Sequence, residues 1–303
     1  MEKSEIIAAL VASLVGEQFP KWADLDVQPV KFDGWDNTTF RLGEGLSVRL
    51  PSAEVYVPQV EKEHRWLPVL TPHLPFRIPS PMVRGHPGSG FPRPWSIYKW
   101  IDGEPANIGR IEDETAFASD LARFLLALHA IDAHDGPPAG EHNFYRGGPL
   151  STYDAQSRES LQQLGGEIDC RAAAELWDAA LASRWEHPPV WVHGDVAASN
   201  LLVAEGQLVG VIDFGCSAVG DPACDLVIAW TFFTDNSRAT FRHGLPLDEA
   251  TWTRARGWAL WKALVTLLRE KRGQANAAEE ARRWGWKVGP LEVIARIVDD
   301  HTS

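Results

Sequence analysis

The residues in this sequence best suited to chemistry are Asp195, Asn200 and Asp213. Asp195 and Asn200 lie five residues apart in the stretch from Trp191 to Val203, and Asp213 follows in Gly210-Val-Ile-Asp-Phe-Gly215. Each segment is a short apolar run that ends in polar residues beside glycine-containing turns. Two carboxylates and an amide at strand ends could gather around a Mg²⁺–nucleotide. Two buried strands with polar turns would share the pattern, but the linkage of the two halves favours the chemical reading.

Phosphoryl transfer asks for positioning and charge neutralisation more than for covalent chemistry. Asp195 could accept the proton of an attacking hydroxyl, Asn200 could offer its amide oxygen to Mg²⁺, and Asp213 a negative oxygen. Asp-x4-Asn followed by Asp-Phe-Gly is also the spacing of the protein-kinase signature. Thirteen residues separate Asn200 from Asp213, room for one hairpin through the Glu205-Gly206 turn.

These groups need elements to hold them. Apolar spacing predicts a helix over residues 4–16, strands over 27–32, 38–42 and 46–50, and a helix over 59–70 that Pro68 ends or kinks. Two more strands are expected at 82–84 and 95–101, with Asp102-Gly-Glu-Pro105 as the boundary between two domains, 1–102 and 103–303. The second is expected to be mainly helical. Helices are predicted over 115–131 and 171–185, from Leu226 to Phe233 with Asp225 at its opening, and around Trp258 and Trp261. His129 reads as a packing or capping histidine.

Composition narrows the class. At 303 residues with 45% apolar and 23% charged content, the chain is that of a globular protein with two domains. No apolar run is long enough for a transmembrane helix, and the charged N-terminus reads as an amphipathic helix, not a secretion signal. Cys170, Cys216 and Cys224 form no CxxC pair, which suits reduced thiols in a cytoplasm. A net charge of −12 argues against nucleic-acid binding and would favour a cationic partner.

The motif His193-Gly-Asp195…Asn200, Ile212-Asp-Phe-Gly215 and Gly220-Asp-Pro222…Asp225-Leu226 is similar to that of the aminoglycoside phosphotransferase family. Gly34-Trp-Asp-Asn37…Val48-Arg-Leu-Pro51 and Asn143-Phe-Tyr-Arg-Gly-Gly148 extend the resemblance, which spans residues 34–226. It implies an α+β, two-lobed protein-kinase-like fold: an N-terminal nucleotide-binding lobe of antiparallel sheet plus helix, and a mainly helical C-terminal lobe for catalysis and acceptor binding. It implies Asp195 as the catalytic residue, with Asn200 and Asp213 as metal ligands. Arg49 takes the place of the usual lysine as phosphate binder, Glu63 pairs with it, and Glu61 is the rival for that role. Gly34 in the loop Phe32–Asn37 would let backbone approach phosphate. Lys99 and Ile101 would give backbone groups to the base. His193 and Asp225 would support the catalytic loop.

The activity so implied is Mg²⁺-dependent transfer of the γ-phosphoryl group of ATP or GTP to a hydroxyl of a small molecule, foremost an aminoglycoside antibiotic, as a resistance enzyme. Asp235, Glu249 and Glu270 fall where such a family builds its acceptor site. A macrolide or metabolite kinase of the same fold is the alternative. A nucleotide-binding pseudokinase is a third reading, motivated by Arg49 and the missing glycine pattern.

Overall fold

The structure, a computed structural model, describes residues 2–31 and 33–302, so Phe32 lies outside the described residues. The chain divides into two compact units, Met1–Asp102 with Asp213–Gly215, and Gly103–Ile212 with Cys216–Ser303.

The first unit carries α1 (Ala8–Gln18), β1 (Val27–Pro29), β2 (Asn37–Leu42), β3 (Leu46–Pro51), α2 (Val57–Leu70), β4 (Pro81–Gly85) and β5 (Trp95–Lys99). Its described strands pair antiparallel in the order β1-β2-β3-β5-β4. Strand alternation sends Val48 and Leu50 into a core with Phe40, Leu42, Ile97 and the Val11, Leu14 and Val15 side chains of α1. Arg49, between them, therefore faces the other side of the sheet. In α2 the buried stripe is Val60, Glu63, Leu67 and Leu70, one helical face that includes a carboxylate. Glu61 is exposed.

Several boundaries differ from expectation. The first helix begins at Ala8, after a 3-10 turn at Lys3–Glu5, because Ile7 has extended backbone. β1 stops at Pro29, whose ring nitrogen cannot donate to a ladder. Pro68 does not end α2, which runs to Leu70. It sits exposed in the last turns, where a missing N–H costs one hydrogen bond and its ring meets solvent. The strand at 95–101 ends at Lys99, leaving Ile101 in the following segment.

The second unit contains β6 (Glu104–Pro105), α3 (Glu114–His129), α4 (Asp154–Gln163), α5 (Cys170–Ala182), β7 (Val190–Val192), β8 (Leu201–Ala204), β9 (Gln207–Val211) and β10 (Ala218–Gly220). It continues with α6 (Ile228–Thr231), α7 (Asp235–His243), α8 (Glu249–Lys271), α9 (Ala277–Arg283) and α10 (Pro290–Thr302). β7 pairs with β10, and β6, β8 and β9 form a second antiparallel set. The β8–β9 hairpin turns at Glu205 and Gly206, both with positive φ (50° and 79°). The expected helix from Leu226 to Phe233 is shorter. Pro222–Leu226 is a 3-10 turn capped by Asp221, so Asp225 lies inside that turn, and α6 ends at Thr231. α5 likewise stops at Ala182, three residues short of the expected Trp185, where Ser183 turns extended. A sheet-based first unit and a helix-rich second one make the chain α+β.

Candidate active site

In the first unit Arg49 forks between two carboxylates. Its Nη1 donates to Glu63 Oε1 and Oε2 at 3.1 and 3.2 Å, and its Nη2 to Asp213 Oδ1 at 3.1 Å. Helical phase decides the partner: Glu63 lies on the buried stripe of α2, so it, and not Glu61, meets Arg49. Burial works against the guanidinium charge, but Glu63 and Asp213 outweigh it and raise Arg49 above its ordinary value. Tyr98 also donates its hydroxyl to Glu63 Oε2. Burial, together with the Glu63 charge, pushes the Tyr98 phenol well up. Asp213 adopts a left-handed backbone, φ 68°.

The loop before β2 is tied down on several sides. Asp33 Oδ1 accepts from Thr39 N–H at 2.9 Å, Gln59 Nε2 donates to Asp36 Oδ2 at 2.8 Å, and Ser52 Oγ donates to the carbonyls of Trp35 and Asp36. Gly34 is exposed, its φ is not positive, and a Cβ there would meet nothing within 4 Å. No protein atom requires glycine at this point; only a ligand against the backbone would. Beyond β5, the N–H of Lys99 is committed to Ser80 O and that of Trp100 to Gly45 O, both at 2.9 Å. Ile101 N–H makes no backbone hydrogen bond among the described residues, which leaves it able to donate to a ligand.

In the second unit β7 delivers His193-Gly-Asp195. Asp225, fully buried, accepts the N–H groups of His193 and Gly194 on its two oxygens, each at 2.7 Å. Burial pushes its carboxyl up, and the two donors oppose that shift. His193 Nδ1 accepts from Asp195 N–H at 3.2 Å, so its Nε2 carries the proton toward Ile212 O, 3.0 Å away. Gly194 has φ +83°, and a Cβ there would lie 2.2 Å from Cys216 O; this position admits only glycine. The 3-10 turn Ala198–Asn200 then brings Asn200 back to Asp195, its Nδ2 donating to Asp195 O at 3.0 Å and Oδ2 at 3.2 Å. The Asn200 amide oxygen is thereby turned away from Asp195.

Two residues without a role in the sequence reading also act on Asp195. Lys262 Nζ, from α8, lies 3.3 Å from Asp195 Oδ1, and Arg146 adds a second positive charge. Burial would raise the Asp195 carboxyl; Lys262 foremost, with Arg146, acts against it, and the group is held below its usual value. The sequence signal for Lys262 is its place as the one charge in Gly257–Leu268, an otherwise uncharged run of α8. Two of the three acids expected near the acceptor are occupied instead. Glu249 pairs with Arg242 and Arg256 at the start of α8, and Glu270 accepts the Ala277 N–H. Asp235 opens α7 with φ 29°.

The profile of the phosphotransferase enzyme family matches residues 26–258, more than half of the chain. An aminoglycoside 3'-phosphotransferase from Escherichia coli is 45% identical over 111 residues, 36% of this chain and 41% of that protein. The matched stretches span about half or less of the curated relatives' length. The GDP complex of an aminoglycoside 2'-phosphotransferase-IIIa superposes with a TM-score of 0.71 at 18% identity, covering 97% of this chain and 99% of the other. Apo macrolide 2'-phosphotransferase MphH of Brachybacterium faecium gives 0.60 at 21% identity, covering 93% and 98%. At such identities the likeness shows a shared fold, the kinase-like arrangement expected from the motifs. Fold and sequence profile agree, and the chain belongs to the phosphotransferase enzyme family.

Proposed function

We propose that this protein is a Mg²⁺- and nucleotide-dependent O-phosphotransferase acting on a hydroxyl of a small molecule. The observation that carries this reading is Asp195: an ionised carboxylate fixed by Asn200 and Lys262 on a loop that Asp225 anchors. Asp195 would accept the proton of the acceptor hydroxyl as its oxygen bonds to the γ-phosphorus and the bond to the departing nucleoside diphosphate breaks. Arg49 would bind phosphate oxygens, held for it by Glu63. Ile101 N–H, and the Lys99 carbonyl, would serve the base of ATP or GTP.

The donor set suits Mg²⁺. In the second unit Asn200 spends its amide hydrogens on Asp195, leaving its oxygen for a cation; in the first unit Asp213 carries a carboxylate oxygen of the kind that Mg²⁺ prefers. Further ligands would be phosphate oxygens and water, as Mg²⁺ favours. Bound there, the ion would neutralise phosphate charge. Three free cysteines fit a reducing cytoplasm, and no helix among the described residues is long and apolar enough to cross a membrane. We take nucleic acid to be no partner.

The relatives' names support an aminoglycoside or macrolide as acceptor, with resistance by modification as the role. One observation favours the rival reading of a nucleotide-binding scaffold: Asp213, needed for the metal, is already ion-paired with Arg49. Purified protein incubated with Mg²⁺, ATP or GTP and a panel of hydroxyl compounds decides, with product read by mass. Nucleotide bound but never consumed, by parent and Asp195→Asn alike, sinks the enzyme reading.

A further inference from the structure

We infer that Lys262 and Arg146 form the acceptor-facing side of Asp195 and select a hydroxyl compound that is neutral or anionic near its reacting group, not a polycation. The inference rests on the phosphotransferase reading of Asp195 and goes against the cationic acceptor that the sequence suggested, and against an aminoglycoside among the two acceptor classes that the relatives' names support.

Lys262 is positioned by packing. α8 presents Trp258 one turn before it and Trp261 beside it, both buried, and its ammonium lies 4.9 Å from the centre of the Trp284 ring. The side chain is 16% exposed, so its charge acts on Asp195 with little screening by water. The turn that carries Trp284 is fitted to the catalytic loop: a Cβ on Gly285 would lie 2.7 Å from Ala198 Cβ and 2.8 Å from Ser199 N. Lys262 also falls just beyond the residues matched by the family profile, so family membership assigns it nothing.

Arg146 arrives by a different and costlier route. Phe144 and Tyr145 before it both have left-handed backbone, φ 54° and 55°, a conformation that residues other than glycine adopt at some expense. Buried Asn143 holds that turn: its Nδ2 donates to Arg146 O at 2.8 Å and Cys216 O at 3.1 Å, and its Oδ1 accepts from Gly140 N–H at 2.9 Å. The guanidinium is set over Trp261 and Trp258, 4.6 and 5.4 Å from the ring centres. Its Nε is buried without a hydrogen-bond partner among the described residues, a cost borne to hold the guanidinium at this place. Tyr153 stacks on Trp261 with ring centres 4.1 Å apart, adding an aromatic face of the kind on which a sugar or aryl ring packs.

The balance of charge follows. In this unit two cations act on the carboxylate of Asp195, while other acids of the unit answer to partners of their own: Asp221 to Arg254, Glu280 to Arg269, and Asp225 to the backbone of the catalytic loop. An ammonium placed beside the reacting hydroxyl would meet like charge in a partly dry site, whereas a carboxylate or neutral oxygen would meet donors.

Three probes with one ring and one aglycone isolate charge: phenyl β-D-glucuronide, phenyl β-D-glucoside and phenyl 2-amino-2-deoxy-β-D-glucoside. Calorimetric binding to the full-length protein, and phosphorylation with Mg²⁺ and ATP or GTP, are measured for parent, Lys262→Met and Lys262→Arg. The parent is expected to prefer glucuronide over the amino sugar. Lys262→Met is expected to shift that ratio by about tenfold or more toward the amino sugar, the size of ~1.4 kcal/mol. Lys262→Arg is expected to keep the parental order, whereas a purely structural role would weaken all three probes together. Equal affinities in the parent, a preference for the amino sugar, no binding of any probe, or an unchanged ratio in Lys262→Met overturns the inference. Binding that follows charge without any nucleotide consumption sustains it and instead removes the phosphotransferase reading.

Discussion

At the scale of single residues, Asp195 and Arg49 make opposite kinds of prediction. Asp195→Asn keeps shape and the bond to Asn200 but removes the proposed proton acceptor. Its kcat is expected to fall by roughly 10²–10⁴, with nucleotide KM nearly unchanged, in a steady-state assay of the phosphorylated product. Arg49→Met acts on the fold as well as on the proposed phosphate binding, because it leaves the Glu63 carboxylate, 3% exposed, without its cation. A loss of about 3 kcal/mol in chemical denaturation is expected, and Glu63→Gln added to it should restore part of that loss. A second substitution that deepened the loss would show that the Glu63 charge is not the source.

At the scale of elements, two glycines separate fold from ligand. Gly194→Ala forces a Cβ toward Cys216 O, 2.2 Å away, on a backbone with φ +83°. Stability should drop by about 1–3 kcal/mol and activity with it, because the turn delivers Asp195 from β7. Gly34→Ala meets open space and should leave the melting temperature unchanged while raising the KM for nucleotide. A stability loss in Gly34→Ala, or none in Gly194→Ala, would contradict the local geometry. The same contrast explains what each element contributes. Strand alternation places Arg49 opposite the core, helical phase brings Glu63 to it, and one buried Asp225 holds the loop that carries Asp195.

At the scale of the whole molecule, net charge and local charge disagree. The chain carries −12 overall, yet Lys262 and Arg146 bring positive charge to bear on Asp195. Near neighbours dominate over a distance of about 8–10 Å, beyond which salt screens. Stability against pH has its own determinant in His129 at the end of α3. Burial lowers its pKa to about 4, and its Nε2 has no hydrogen-bond partner among the described residues. The unfolded chain, with an ordinary value of about 6.5, therefore takes up the proton first. Stability is full above pH ~6.5 and is lost as pH falls toward about 4, by up to roughly 3 kcal/mol. Denaturation midpoints across that window should decline in the parent and flatten in His129→Gln; parallel declines would assign the effect to other groups.

The sequence alone determined the local pattern on which the proposed chemistry rests. Asp195, Asn200 and Asp213, the hairpin between them and the α+β order of elements are written in short-range spacing, because turns, strand alternation and helical period act over a few residues. Short-range rules also placed some ends wrongly, as at Ala8 and at α6, where backbone conformation outside the apolar pattern set the limit. Only the tertiary structure decided which carboxylate answers Arg49, that Asp225 spans 31 and 32 residues to hold Gly194 and His193, and that Lys262 reaches Asp195 across 67. Those contacts join positions far apart in the chain, and a side chain's charge gains chemical meaning only from what the fold sets beside it.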